Sequence, residues 1–356
     1  MRYVHRFQTE NDYSEKRTNG YYEPWLSFTD DVEETHYNKS KRELLAEQPL
    51  TFEIISGGTI LWKASDSSAT KTIEYKLNDG EWTSITSASG SAAPSISVAS
   101  GDTVQFRGNN QYYGYTYNTK LRYTCFSADC GFNIMGNIMS LINSTDYVSL
   151  NSFTGDYNFY RFFYNCQGLK SSKYLILPAA TLTKCCYCGM FEGCTSLTTS
   201  PELPATTLAN RCYSTMFMGC TSLTQAPELP ATTLTEQCYA DMFRDCTSLT
   251  AAPELPATIL TENCYYRMFQ GCSSLTTAPD LLATTLANQC YSNMFTVCRK
   301  LNYIKCLATD ISANNYTYNW VNGVSSTGTF VKNPNATSWT TGTNGIPNGW
   351  TVQDAE

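Results

Sequence analysis

The chain has 356 residues, 42% hydrophobic and 15% charged, which is enough apolar content to build cores and too little charge for a disordered chain. Its 24 basic and 31 acidic side chains leave a net charge of -7, which disfavours nucleic-acid binding. Its two histidines, His5 and His36, both lie in the first forty residues, so a His-dependent triad or a His-ligated zinc site is disfavoured in the rest of the chain. No apolar run approaches the roughly 20 residues that cross a bilayer. The opening MRYVHRFQTENDYSEKRTNG has neither an apolar h-region nor a small-residue cleavage site, so neither a membrane contact nor a secretory signal is expected.

In chain order, residues 1–48 mix charges of both signs with scattered aromatics. They predict an arm that orders against a partner, with Tyr3, His5, Phe7 and Trp25 as anchoring residues. Residues 49–124 change character. Ile73, Tyr75 and Leu77 alternate with Glu74 and Lys76 before an Asn78-Asp79-Gly80 turn, and Val104 and Phe106 alternate with Gln105 and Arg107 after Gly101-Asp102. Period-two alternation between Gly-containing turns predicts an antiparallel, immunoglobulin-like β-sandwich. Residues 125–159 include FNIMGNIMSLIN, apolar on every side, and predict the N-terminal cap of a solenoid.

A strict repeat then begins. Cys194, Cys220, Cys246, Cys272 and Cys298 recur at intervals of 26, as do Cys186, Cys212, Cys238, Cys264 and Cys290. Met190-Phe191, Met216-Phe217, Met242-Phe243, Met268-Phe269 and Met294-Phe295 keep the same interval, and Leu197, Leu223, Leu249 and Leu275 mark a further column. Within one unit, SLTQAPELP (222–230) is extended because its prolines forbid helix, whereas Leu234, Cys238 and Met242 at i, i+4 and i+8 predict one face of a short helix. Strand plus short helix at this period predicts a solenoid over 160–310, its side chains stacked in ladders about 4.8 Å apart. Six coils at that spacing make a rod roughly 30 Å long. Residues 311–356 are expected to close it as a β cap.

These units resemble the leucine-rich repeats of the BspA-like type, in which an SL-containing strand precedes a short helix carrying a Phe and a Cys. WVNGVSSTGTFVKNP (320–334) and GIPNGWTVQD (345–354) look like the closing segment of such proteins from gut anaerobes and their phages. The fold class expected is therefore mixed: a leucine-rich-repeat solenoid of strand and short helix per 26-residue coil, preceded by an all-β immunoglobulin-like sandwich.

Four groups of side chains invite a chemical reading. The two cysteine columns suit buried free thiols, since Cys behaves as a small hydrophobe; Cys194, Cys220, Cys246, Cys272 and Cys298 with Phe191, Phe217, Phe243, Phe269 and Phe295 are the expected core ladder. Cys185, Cys186 and Cys188 leave the regular spacing, but lack the partners of a zinc site. Cys125 and Cys130 would bridge in an oxidising setting. Glu202, Glu228, Glu254 and Asp280 form an acidic column that is either a solvated face or a contact for calcium, a cationic ligand or a sugar; at about 5 Å in water neighbouring carboxylates repel by roughly 0.8 kcal/mol. The rings of Tyr187, Tyr213, Tyr239, Tyr265 and Tyr291 either line a recognition surface or close the core wall with their hydroxyls outward. Tyr112, Tyr113, Tyr115 and Tyr117, clustered around Gly114, offer adaptable contact as in antibody paratopes or pack across strands.

GxSxG, HExxH, P-loop and GxGxxG motifs are missing. A paired-carboxylate site needs no motif, but one acid copied in every coil is a poor way to push two pKa values apart. The expectation is a non-enzymatic protein without cofactor or metal: a phage virion fibre or decoration protein, made in the host cytoplasm. It would bind other virion proteins through the arm and a host-surface glycan or protein through the sandwich or solenoid, as a homo-oligomer. The alternative is a bacterial cell-surface adhesin whose signal peptide has been removed.

Overall fold

The computed structural model describes residues 39–313 and 315–356; Tyr3, His5, Phe7 and Trp25 lie outside them. The one α-helix among the described residues, α1 (Lys41–Ala46), opens with a capping box. The Ser40 side chain accepts from the Glu43 backbone while the Glu43 carboxylate accepts from the Ser40 N–H at 2.6 Å, satisfying donors that a helix start leaves open. Leu45 packs α1 onto Met135 and Ile176.

Nine strands follow before the repeats: β1 (Leu50–Ile54), β2 (Gly58–Ala64), β3 (Thr72–Leu77), β4 (Thr83–Thr86), β5 (Ser95–Val98), β6 (Thr103–Arg107), β7 (Gly114–Tyr117), β8 (Lys120–Ala128) and β9 (Phe132–Asn137). The period-two stretches lie in β3 and β6. With β10 (Leu169–Ile176) they form a six-stranded sheet in the order β10-β9-β1-β6-β3-β4 and a four-stranded sheet in the order β5-β2-β8-β7. The sheets meet where Phe126 of one packs on Phe52 and Phe106 of the other, with ring centroids 4.7–4.9 Å apart, and Trp62 lies beside Phe126 in its own sheet at 4.7 Å.

This is not the self-contained immunoglobulin-like sandwich expected ahead of the repeats. The edge strand β10 belongs to the first repeat unit and pairs with β9 in parallel, and one hydrophobic cluster runs from Leu50 to Trp350. The apolar stretch at 132–141 forms β9 and a 3-10 turn, Ile138–Leu141, buried throughout the turn.

The expected leucine-rich-repeat solenoid, with a strand and a short helix in each coil, is also corrected. No helix occurs between residues 160 and 310. Where a helix was expected, every fourth residue has a positive φ: Cys185, Gly189 and Gly193 in one unit, Arg211, Thr215 and Gly219 in the next, Gln237, Asp241 and Asp245 in the one after. Left-handed residues cannot sit inside a right-handed helix. The backbone instead makes successive four-residue turns. Alternate amides close each turn, as in Cys186 N–H to Thr183 and Met190 N–H to Tyr187, and those between reach the next unit, as in Tyr187 N–H to Cys212 at 3.0 Å and Phe191 N–H to Met216 at 2.9 Å. Half of the donors that a helix would keep to itself thus hold one unit to the next.

The extended halves form few regular strands, for a reason visible in the residues. Pro201, Pro204, Pro227, Pro230, Pro253, Pro256 and Pro279 carry no N–H, so a continuous ladder cannot form. Isolated parallel bridges remain, such as Gln225 to Ala251 and Thr233 to Ile259. Full strands appear where the Pro-Glu-Leu-Pro run is replaced, in β10 and in β11 (Tyr303–Cys306). β11 begins the parallel three-stranded sheet β11-β12-β13, with β12 at Thr329–Lys332 and β13 at Thr351–Asp354. Trp320, fully buried on Phe295 and Tyr291, donates its indole N–H to Gly345 at 2.8 Å, and Trp350 donates to Ser325 at 2.8 Å.

Inside the repeats equal residues stack. Phe163, Phe191, Phe217, Phe243, Phe269 and Phe295 follow one another at 5.5–5.9 Å with planes within 10°. Tyr187, Tyr213, Tyr239, Tyr265 and Tyr291 form a parallel column at 5.9–6.2 Å. Cys194, Cys220, Cys246, Cys272 and Cys298 are completely buried, and each thiol donates to a Phe carbonyl one unit earlier, Cys220 to Phe191 and Cys246 to Phe217, both at 3.1 Å. A small apolar side chain with a weak donor fits that position.

Candidate functional site

The tyrosines around Gly114 divide. Tyr113 is buried, stacked on Phe159 at 5.5 Å, with its hydroxyl donating to Leu141 at 2.8 Å. Burial raises its pKa far above the ordinary range. It ties the β7–β8 hairpin to the repeats, so its ring is closed to a ligand. Tyr112, exposed, and Tyr115, half-buried, meet edge to face at 6.0 Å. The Lys71 ammonium lies 4.0 Å from the Tyr112 ring, its pKa lowered by desolvation, and the Tyr115 hydroxyl donates to the Ser68 carbonyl at 2.8 Å. Tyr117 lies in β7, paired with Lys120.

The hairpin brings in aromatics that the spacing of 112–117 did not announce. Asn118 and Thr119, both at positive φ, make the tight turn into β8, and Tyr123 on β8 lands against Tyr160 at 5.8 Å and Tyr164 at 6.1 Å. Gly114 permits this approach, because a Cβ there would stand 2.8 Å from the Tyr160 Cβ. The source is the segment YNFYRFFY (157–164). Phe159, Phe162 and Phe163 turn inward and are fully buried, while Tyr157 and Tyr164 remain partly exposed. The signal available in the sequence was that aromatic density, with polar-edged rings interleaved among apolar ones.

Arg161 holds the cluster together. Its guanidinium lies 4.5 Å from the Tyr164 ring and 5.6 Å from Tyr160, and makes two bonds to Glu192 at 3.0 and 3.2 Å. Glu192 is almost fully buried; desolvation raises its pKa, against the lowering effect of Arg161. Rings with polar edges on a fixed cation form a firm surface suited to stacking against a sugar or a partner side chain.

The acidic column lies elsewhere. Glu202, Glu228, Glu254 and Asp280 are all exposed, each between a proline and a buried leucine of its own chain. The two ends are neutralised, Glu202 by Arg42 of α1 and Asp280 by Lys305 at 2.7 Å. Glu228 and Glu254 make no ion pair among the described residues. A single file of carboxylates between prolines and leucines does not supply the six to eight oxygens that calcium takes. The Tyr187–Tyr291 column is no surface either: all five rings are buried, and the Tyr187 and Tyr239 hydroxyls are enclosed without a hydrogen-bond partner.

Sixteen free cysteines are present, and Cys125 and Cys130, buried in the front, do not bridge. Among the described residues no three His, Cys, Asp or Glu side chains gather as a metal site, and no helix is long and apolar enough to cross a membrane. Comparison with protein-family models, with curated proteins and with solved structures finds no match.

Proposed function

We propose that the chain is a non-enzymatic attachment protein of a phage virion, a fibre or a capsid or tail decoration, that contacts a host-surface glycan or protein through Tyr123 and Tyr164. The observation that carries this reading is the tyrosine cluster held on Arg161 and Glu192, a preorganised aromatic surface at the join of the front sheets and the stacked units. Rigid rings lose little entropy on binding. The carboxylates of the repeat support a non-catalytic role, because they run in file along an exposed face instead of converging in pairs. A bacterial surface adhesin would use the same surface. The thiols favour the virion setting, since buried S–H groups bonded to carbonyls suit synthesis in a reducing cytoplasm.

The full-length chain on a glycan array, beside a variant carrying Tyr123→Ala and Tyr164→Ala, tests the surface. Binding that falls at least about tenfold in the variant is the expected result, from aromatic contacts worth roughly 1.5 kcal/mol or more together. Silence on the array with tight capture by a capsid or tail protein would replace attachment with a purely structural role. Detection of the chain in purified virions decides between the two settings.

A further inference from the structure

Fifteen of the sixteen thiols are buried, Cys185 among them, and Cys188 is partly exposed; the pair is set apart by its spacing. Both lie outside the cysteine columns. The equivalent residues of later units are Arg211, Gln237, Asn263 and Gln289 for Cys185, and Ser214, Ala240, Tyr266 and Ser292 for Cys188. One unit alone therefore places thiols three residues apart, in a Cys-x-x-Cys arrangement. They occupy the two ends of a single turn: Cys185 has a φ of 54°, and the Cys188 N–H returns to the Cys185 carbonyl at 3.3 Å. A four-residue turn holds its end Cα atoms within about 7 Å, the span that a disulfide bridges.

The surroundings divide the pair into an attacking and a resolving thiol. A hydrogen bond from Cys188 holds the Cys185 thiol below the ordinary range, and the cations of Arg211 and Lys184 add to this. The same pairing with Cys185, together with burial, pushes Cys188 up, its sulfur lying 4.0 Å from the Thr215 hydroxyl. The remaining thiols with a resolved shift are all raised by burial, Cys186 up to about 12 among them. Cys185 is buried and Cys188 is partly exposed, so a small reagent enters the turn on the Cys188 side. Zinc is a poor fit, because the third cysteine of the run, Cys186, is fully buried in its column and structural zinc takes four ligands.

We propose that Cys185 and Cys188 form a reactive dithiol that exchanges with small disulfides of the glutathione class. The Cys185 thiolate attacks one sulfur of the disulfide RSSR; the new Cys185–SR bond forms as the S–S bond breaks and RS⁻ leaves. Cys188 then gives up its proton and attacks the Cys185 sulfur, expelling the second RS⁻. Two protein thiols are oxidised to one disulfide, RSSR is reduced to two RSH, and the two protons lost by the protein end on the leaving thiolates. The turn borders the tyrosine cluster, through Tyr157 beside Cys185 and Tyr160 beside Cys188.

The test is the reaction of the native full-length chain with 5,5′-dithiobis(2-nitrobenzoate), followed by peptide mapping. The native protein should release two equivalents of thionitrobenzoate in a fast phase, keep no adduct, and yield a Cys185–Cys188 disulfide in the map. Cys188→Ala should release one equivalent and retain the aryl adduct on Cys185. Cys185→Gln should slow the phase by at least about tenfold. Both replacements are residues that other units carry at those places, Ala240 and Gln237, and circular dichroism verifies that the variants fold. A fast phase that persists in Cys185→Gln, a disulfide mapped elsewhere, or thiols that react only after denaturation would overturn the proposal.

Discussion

The front sheets and the repeats bury the same kinds of side chain by opposite means. In the front, aromatic pairs meet at angles from 11° between Phe52 and Phe132 to 86° between Phe126 and Phe162, each contact particular to its place. In the repeats, Phe217 and Phe243 lie at 5.7 Å with planes parallel, and the next pair repeats the arrangement. One core is a jigsaw and the other a column. The difference teaches where each region is vulnerable: the front to a change of shape anywhere, the repeats to any condition that acts on every unit at once.

Alkali is such a condition. Burial pushes Cys186, Cys194 and Cys298 from the ordinary 9.0 up to about 12, and Cys212, Cys220, Cys264 and Cys272 well above it. A group whose folded pKa is raised contributes full stability below the unfolded value and loses it as pH climbs past that value, because only the unfolded chain then ionises. At pH 10 each such thiol costs ~1.4 kcal/mol. The repeats should therefore open between pH 9 and 10.5, before the front, which has only Cys125 and Cys130; hydrogen exchange resolved by peptide reads the order. Simultaneous opening would erase the distinction.

Single substitutions should follow with smaller effects. Phe243→Ala removes a ring with a neighbour on each side and is expected to cost about 3–5 kcal/mol, the usual range for a buried Phe, and to split the urea transition, since each unit holds only its neighbours. Phe126→Ala should cost a similar amount and shift the front as a whole. Cys246→Val keeps the bulk but loses the S–H bond to Phe217. It should cost about 1 kcal/mol, because that carbonyl retains the Cys220 N–H at 3.0 Å.

The join between the two regions carries a pH dependence of its own. Desolvation raises Glu192 above its ordinary 4.5, so its contribution falls as pH rises through the interval between the unfolded and the raised folded value. Glu192→Gln should remove that slope from the variant's own melts, so that the difference from wild type changes with pH across that interval, while loosening Arg161. The smallest effect belongs to Ile259, 77% exposed where other units carry Thr207, Thr233 and Thr285. Ile259→Thr should change stability by no more than about 0.5 kcal/mol, as for ordinary surface sites, and lower any tendency to self-associate.

The helix expected in each unit failed for a specific reason. Leu234, Cys238, Met242 and Cys246 keep a spacing of four, which satisfies a helix over one or two steps but drifts by about 40° at each. Held over thirteen residues, that spacing belongs to a chain that turns once in every four. Residues such as Thr215, at a φ of 55°, and Val297, at 64°, give no warning of a left-handed conformation; the bonds to Ala240 at 2.9 Å and Asn322 at 2.7 Å hold them there. The tyrosines were half legible. Tyr112 and Tyr115 stood out by composition, whereas Tyr123, Tyr160 and Tyr164 meet only because the β7–β8 hairpin folds onto the first unit.

By itself the amino-acid order determined the interval of 26 and the small, aromatic or aliphatic character of each buried position, since burial depends on residue type and a period survives any local conformation. The tertiary structure decided which amides bond within a turn and which reach the next unit, and it decided that β10 joins the front sheet. Those choices depend on donors and acceptors 25 or more residues apart along the chain. Phe163 shows both at once: its apolar ring was destined for a core, but only the fold sets it between Phe126 at 5.9 Å and Phe191 at 5.5 Å, where the jigsaw ends and the column begins.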